Sequence, residues 1–263
     1  MGSASVFGLF VCTSYIGLSC MLAFWLRKVL GRFLPGCSLP KLMLQEAIAA
    51  AELCACCFEL IIVADNYGIW AYAVYLFALT IWWSLSWEDA TACPYTHLEE
   101  VVEGKLDVRH AALKIWAELS GGLVVYKYVM TLWSLEIASV HRSRAYEECT
   151  ADLQVNFMLG ALIEAAATCL CRLFSRFIGE WNPRFGVALD SFIGTSLVVA
   201  AFNYSGGYFN PVLATALKYG CQGNTNAEHI IVYWVGACSG SILSVFLYQQ
   251  PFFQALATKV KSD

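Results

Sequence analysis

The stretch Gly206-Gly207-Tyr208-Phe209-Asn210-Pro211-Val212-Leu213-Ala214-Thr215-Ala216-Leu217-Lys218 decides how the chain is read. It has the grammar of a short helix that begins abruptly. Asn210 is a good N-cap, because its side-chain oxygen can accept from the first free N–H groups. Pro211 fits the first turn, where a missing N–H costs nothing. Leu213–Tyr219 continues as an apolar helix, with Lys218 near the end that favours a cation. Gly206-Gly207 permits the close turns of a re-entrant loop. Backbone of this kind is tolerated inside a membrane only where it is packed in protein or lines a wet cavity.

Working outward, the pattern recurs. Cys93-Pro94-Tyr95 stands 117 residues before Asn210-Pro211-Val212. An apolar block carries Glu46, 47 residues before Cys93, and another carries Glu164, 46 before Asn210. Small residues four apart follow each box, Ala117 and Gly121, then Gly236 and Gly240, a spacing that lets helices approach closely in lipid. Three helices plus one box therefore occur twice, and an odd number of crossings makes the halves inverted.

The rest of the chain supports a membrane setting. Of 263 residues, 59 % are hydrophobic and 14 % charged, too few charges for an ordinary soluble domain. The apolar residues form seven blocks, about 6–26, 42–64, 70–87, 109–135, 153–174, 185–202 and 230–248. Each approaches the roughly 20 helical residues that cross a hydrocarbon layer. Helices satisfy their own backbone in lipid, and the period-2 alternation of a membrane barrel is absent. Eleven Lys and Arg fall on one side (Arg27, Lys28, Arg32, Lys41, Lys105, Arg109, Arg172, Arg176, Arg184, Lys259, Lys261) and three on the other (Arg142, Arg144, Lys218). That bias puts the C-terminus in the cytosol. The first block has no basic start, so it reads as an uncleaved extra helix.

Two boxes at repeat spacing, with paired glutamates, resemble the aquaporin family. Cys221, nine residues after the second box, resembles its superaquaporin branch, as do Ile231–Trp234, Glu59-Leu60 and Leu132–Leu135. The resemblance spans about residues 40–250. It implies an all-α integral membrane protein: a right-handed bundle of six transmembrane helices plus two re-entrant half-helices in inverted repeats, preceded here by an extra hydrophobic helix. The expected organisation is 1–39 extra helix and basic linker, 40–135 first repeat, 136–250 second repeat and 251–263 cytosolic tail. It further implies a homotetramer, a location in the endoplasmic reticulum, and a passive channel rather than an enzyme, without cofactor, metal or nucleic acid.

Residue by residue, the resemblance gives Glu46 and Glu164 the role of accepting hydrogen bonds from the two loops. Cys93, Pro94, Tyr95, Asn210, Pro211 and Val212 become the pore boxes, with the Asn210 amide donating to the passing solute. The selectivity filter falls on Ala73, Val198, Gly207 and Leu213, where the family's narrow members carry an arginine at the last position. An apolar filter implies passage of glycerol-like solutes and hydrogen peroxide as well as water. A closed or non-conducting scaffold is the alternative; a membrane enzyme built on His97 or a seven-helix receptor explains less. Gly236 and Gly240 read as an intramolecular helix crossing.

Other expectations come from single residues. Cys93, at a helix N-terminus, reads as a reactive pore thiol. The acidic face of Thr96–Glu103 reads as the wall of a wet vestibule, and Glu118 and Lys127 as partners inside the bundle. Most of the twelve cysteines read as small buried hydrophobes. The sequon Asn203-Tyr204-Ser205 reads as buried and unused. Lys259 and Lys261 resemble a dilysine retrieval signal.

Overall fold

A computed structural model describes residues 5–34, 36 and 38–262, with the side chains of 257–262 outside the description. The tail lysines therefore lie outside the described residues as side chains. The elements are α1 (Val6–Phe33), α2 (Leu39–Tyr67), α3 (Ile69–Ser86), α4 (Pro94–Val102), α5 (Val108–Ser134), a 3-10 turn (Ser139–His141), α6 (Phe157–Trp181), α7 (Gly186–Ser205), α8 (Pro211–Lys218), α9 (Asn226–His229), a π-helical turn (Ile230–Gly236), α10 (Ala237–Tyr248) and α11 (Pro251–Ser262). Among the described residues there is no β-strand beyond one isolated bridge.

The boundaries follow local chemistry. Ser5 caps α1 by accepting from Gly8 N. Asp107 caps α5, and Asn156 caps α6. Gly68, at φ 83°, makes the sharp reversal from α2 into α3. Thr225 and Glu228 form a capping box that starts the α9–α10 run. Among the described residues, six helices are long and apolar enough to cross a membrane: α1, α2, α3, α6, α7 and Asn226–Tyr248. α5 has the length, but Glu118 and Lys127 lower its hydropathy. Large apolar side chains such as Trp70, Val74, Leu85, Val124 and Phe192 face outward, as lipid contact requires.

The two halves pack alike. A Cβ on Gly121 of α5 would lie 2.0 Å from Ala47 O of α2, and one on Gly240 of α10 would lie 2.0 Å from Ala165 O of α6. Only glycine allows these backbones to touch. The short helices cross over: α4 packs on α10, and α8 packs on α5. α1 lies outside this pattern, antiparallel to α2. Arg27 of α1 forms a buried ion pair with Glu52 of α2 at 2.7 Å, and Glu52 also accepts from Trp82 and Trp87.

Candidate functional site

The two boxes meet in the middle of the bundle. Pro94 and Pro211 open α4 and α8, and Cys93 and Asn210 are their N-caps, both extended. Asn210 caps with its side chain, accepting from Val212 N at 3.0 Å and Leu213 N at 3.3 Å. Its Nδ2 donates to Ala92 O of the other loop at 2.8 Å. An amide carries two N–H donors, so one remains after that bond. Cys93 has no such group and makes no side-chain cap.

Each loop hangs on a buried glutamate. Thr91 N and Ala92 N donate to Glu46 at 3.0 and 2.9 Å. Tyr208 N and Phe209 N donate to Glu164 at 3.2 and 2.7 Å. The donors occupy the same two positions before each box. Ala92 and Phe209, directly before the boxes, both have left-handed backbone, at φ 51° and 46°. Such non-glycine strain persists only where the surroundings over-determine it.

The second partners of the glutamates differ. Glu164 accepts from the Ser205 hydroxyl at 2.6 Å. Glu46 instead faces His97 Nε2 at 3.4 Å, and the same nitrogen lies 3.1 Å from Glu118 of α5. His97 Nδ1 reaches Glu100 at 3.5 Å. His97 is buried among three carboxylates, an arrangement with no equivalent in the second repeat, where Ala214 stands at the matching position.

Two cavities flank the loops. One, of about 250 Å³, adjoins the second loop and is lined by Tyr72, Phe202, Gly207, Leu213, Asp65 and Asp152 among others. The other, of about 340 Å³, adjoins the first loop and includes Trp83, Trp87, Thr91, Tyr95, Arg172 and Asp190. Of the four residues expected to form a constriction, Gly207 and Leu213 line the first cavity, and Ala73 and Val198 do not. Val198 lies behind Gly207, whose Cβ would meet its carbonyl at 2.7 Å. Tyr72 and Phe202 take the exposed places, with ring centroids 5.1 Å apart. One residue along a helix rotates a side chain by about 100°, and four move it up one turn. The lining is therefore aromatic and acidic as well as small and apolar.

Several single-residue readings are corrected. Cys93 is buried against Tyr95, Ala237 and Cys238 rather than open to a passage. Glu99 does not face a wet vestibule: Arg172 binds it with two bonds at 2.7 Å, and Arg176 and Ser241 add 2.7 and 2.5 Å contacts. These bonds lock α4 to α6 and α10. Burial alone would raise the Glu103 carboxyl, but hydrogen bonds from Lys105 and Arg176 hold it below the usual carboxylate range. Glu118 has its partner in His97, whereas Lys127 points outward without one among the described residues. Asn203 is exposed and lines the first cavity, while Ser205 of the same sequon is buried.

Other groups singled out in the sequence have partners that it does not indicate. Cys221 forms a disulfide with Cys149 of the α5–α6 connection. Beside it, Lys218 donates to Thr150 O and pairs with Asp152, both at 2.9 Å, and Tyr208 OH donates to Asp152 at 2.5 Å. The Ile231–Trp234 phrase builds the π-helical turn. There Tyr233 OH donates to Ser205 O at 2.7 Å, and Trp234 donates to Thr215 of α8 at 2.9 Å.

The chain is similar to known proteins along most of its length. Aquaporin-11 of Milnesium tardigradum is 30 % identical over 209 residues, which cover 79 % of this chain and 76 % of that protein. Aquaporin-12 of Mus musculus is 27 % identical, covering 78 % and 73 %. Aquaporin-11 of Homo sapiens is 24 % identical, covering 90 % and 89 %. Among solved structures, the aquaglyceroporin from Plasmodium falciparum superposes with a TM-score of 0.61 at 14 % identity, over 84 % of this chain and all of that one. No family model matches. On these likenesses, and on the paired boxes at the centre of the bundle, the chain belongs to the aquaporin family, in the branch of aquaporin-11 and aquaporin-12.

Proposed function

We propose that the chain is a passive pore for water and small neutral solutes, glycerol and hydrogen peroxide among them. The observation that carries this is the meeting of the two boxes: Asn210 bridges to Ala92 O, and a cavity approaches that point from each loop. Solute would run from one cavity to the other past the free Asn210 donor. The N-termini of α4 and α8 direct their positive poles at the same place, which disfavours cations.

Gly207 and Leu213 form part of the constriction, with Tyr72 and Phe202 completing it. Without a guanidinium at position 213 the ring is less polar than an arginine-bearing one, and a hydroxylated carbon chain loses little there. Glu46 and Glu164 hold the loops. The protein sits in an intracellular membrane with its C-terminus in the cytosol. The disulfide supports that orientation: it lies beside Lys218 and Arg144, on the side poor in basic residues, and disulfides persist in oxidising compartments. Four copies assemble, one pore each, which mass measurement in detergent would test.

The deciding experiment is stopped-flow light scattering on proteoliposomes, with sucrose and then glycerol as osmolyte. Fast shrinkage followed by fast glycerol re-entry is the expected result. Rates equal to empty vesicles, with the protein shown to be inserted and folded, would replace the pore by a closed scaffold of the same fold.

A further inference from the structure

Away from the boxes, three segments bring unlike ligating groups to one buried point. Cys12 comes from α1, Glu59 from α2 and His141 from the 3-10 turn after α5. The Cys12 thiol lies 4.0 Å from His141 Nε2, and that nitrogen lies 2.7 Å from a Glu59 oxygen. All three ligand atoms lie within 4.8 Å of one another. Cys12 and His141 are fully buried, and Glu59 is 2 % exposed. Trp133 donates to the other Glu59 oxygen at 2.8 Å, which fixes the carboxylate's direction. The Tyr15 ring lies 5.1 Å from the imidazole.

We propose that Cys12, Glu59 and His141 bind one Zn²⁺ ion that clasps α1 to the bundle. Thiolate, imidazole and carboxylate together are a zinc donor set, softer than a calcium or magnesium site. Zinc bonds of about 2.3 Å to sulfur and 2.0–2.2 Å to nitrogen or oxygen put tetrahedral ligand atoms roughly 3.4–3.6 Å apart. The ion enters if the His141–Glu59 hydrogen bond opens by roughly 0.7 Å and Cys12 closes by about half an ångström. Three protein ligands leave the fourth place to water.

Charge favours the same occupant. The ion takes the place of the Cys12 proton and of the proton between His141 Nε2 and Glu59, and the ring keeps one proton on Nδ1, so that a thiolate, a carboxylate and a neutral imidazole surround a dication. The net charge is zero, which a low-dielectric interior tolerates best. The second bonding of Glu59, to Trp133, orients a ligand in the way such sites require. The location also gives the ion a purpose. α1 is tied to α2 near one end by Arg27–Glu52, and this cluster stands near the other end, joining α1 to a loop as well.

The test uses the purified full-length protein. It is equilibrated with micromolar Zn²⁺, passed through gel filtration and assayed for metal by mass spectrometry. About one zinc per chain is expected, falling severalfold in Cys12→Ser and in His141→Gln. Zinc content unchanged in Cys12→Ser, or no zinc retained by the unaltered protein, overturns the proposal and leaves a hydrogen-bonded ion pair. X-ray absorption on the zinc-loaded, unaltered protein gives the answer even if the variants fail to fold. A shell of one sulfur with nitrogen and oxygen supports the site. A shell of nitrogen and oxygen alone, as the sulfur-free Glu46–His97–Glu118 cluster would give, or one of several sulfurs, sinks it.

Discussion

At the scale of single residues, Asn210 and Leu213 carry most of the proposed function. Asn210 has three jobs: it caps α8, bridges to the first loop and offers one remaining donor. Asn210→Ala should cost about 1–2 kcal/mol through the lost cap, and should slow water flux in proteoliposomes. Flux at the unaltered level, with the variant folded, would remove this amide from the conduction path. Leu213→Arg places a guanidinium among Gly207, Tyr72 and Phe202, and glycerol flux should fall severalfold more than water flux. Equal loss of both would mean simple blockage, and no change would take position 213 out of the constriction. The donors and caps of the second box were legible because capping is local chemistry. The lining of the cavity beside the second loop was legible only in part, since it holds Tyr72 where the spacing gives Ala73, one residue along α3, and spacing alone does not resolve that.

At the scale of elements, the repeat of helix contacts makes two glycines costly to change. Gly240→Ala drives a Cβ to within 2.0 Å of Ala165 O, and α10 must move off α6. A loss of about 1–3 kcal/mol is expected, read as a lower melting midpoint in detergent. Gly31, whose Cβ would meet nothing within 4 Å, is the control position. The clamp under α4 depends on pH. The Glu103 carboxyl lies below its ordinary value of 4.5, so its contribution is present above that pH. It is lost as pH falls through the lower, folded value. Below about pH 4.5 the melting midpoint should fall, and by less in Glu103→Gln. An equal fall in both proteins would place the acid sensitivity elsewhere. The small-residue spacing and paired glutamates were readable because they recur at fixed intervals. The Arg172–Glu99 and His97–Glu118 pairs were not, because they join residues 73 and 21 positions apart without a local pattern.

At the scale of the whole molecule, the Cys149–Cys221 disulfide closes a segment of 72 residues that includes α6, α7 and α8. Its loss in Cys149→Ser should cost about 2–4 kcal/mol. Maleimide labelling of the denatured protein should add two thiols after reduction, and the difference should vanish in a Cys149→Ser, Cys221→Ser double variant. The six-helix repeat architecture was legible in the long apolar blocks, and α1 with it. The disulfide was not, since Cys149 stands in a polar connection where nothing in the sequence selects its partner.

The unlike settings of the two loops have a consequence for transport itself. Glu46 leans on an imidazole, Glu164 on a hydroxyl, and the approach cavities differ in size and lining. A passage that consumes no energy drives no net flow without a gradient, however lopsided its walls. Forward and reverse permeabilities of a neutral solute must agree at equilibrium. What lopsided walls can do is distinguish blockers by their side of arrival: one cavity mixes Arg172 with Glu88 and Asp190, while the other carries Asp65 and Asp152 and no cation. At equilibrium, asymmetry of this kind acts on blockers and not on net flow.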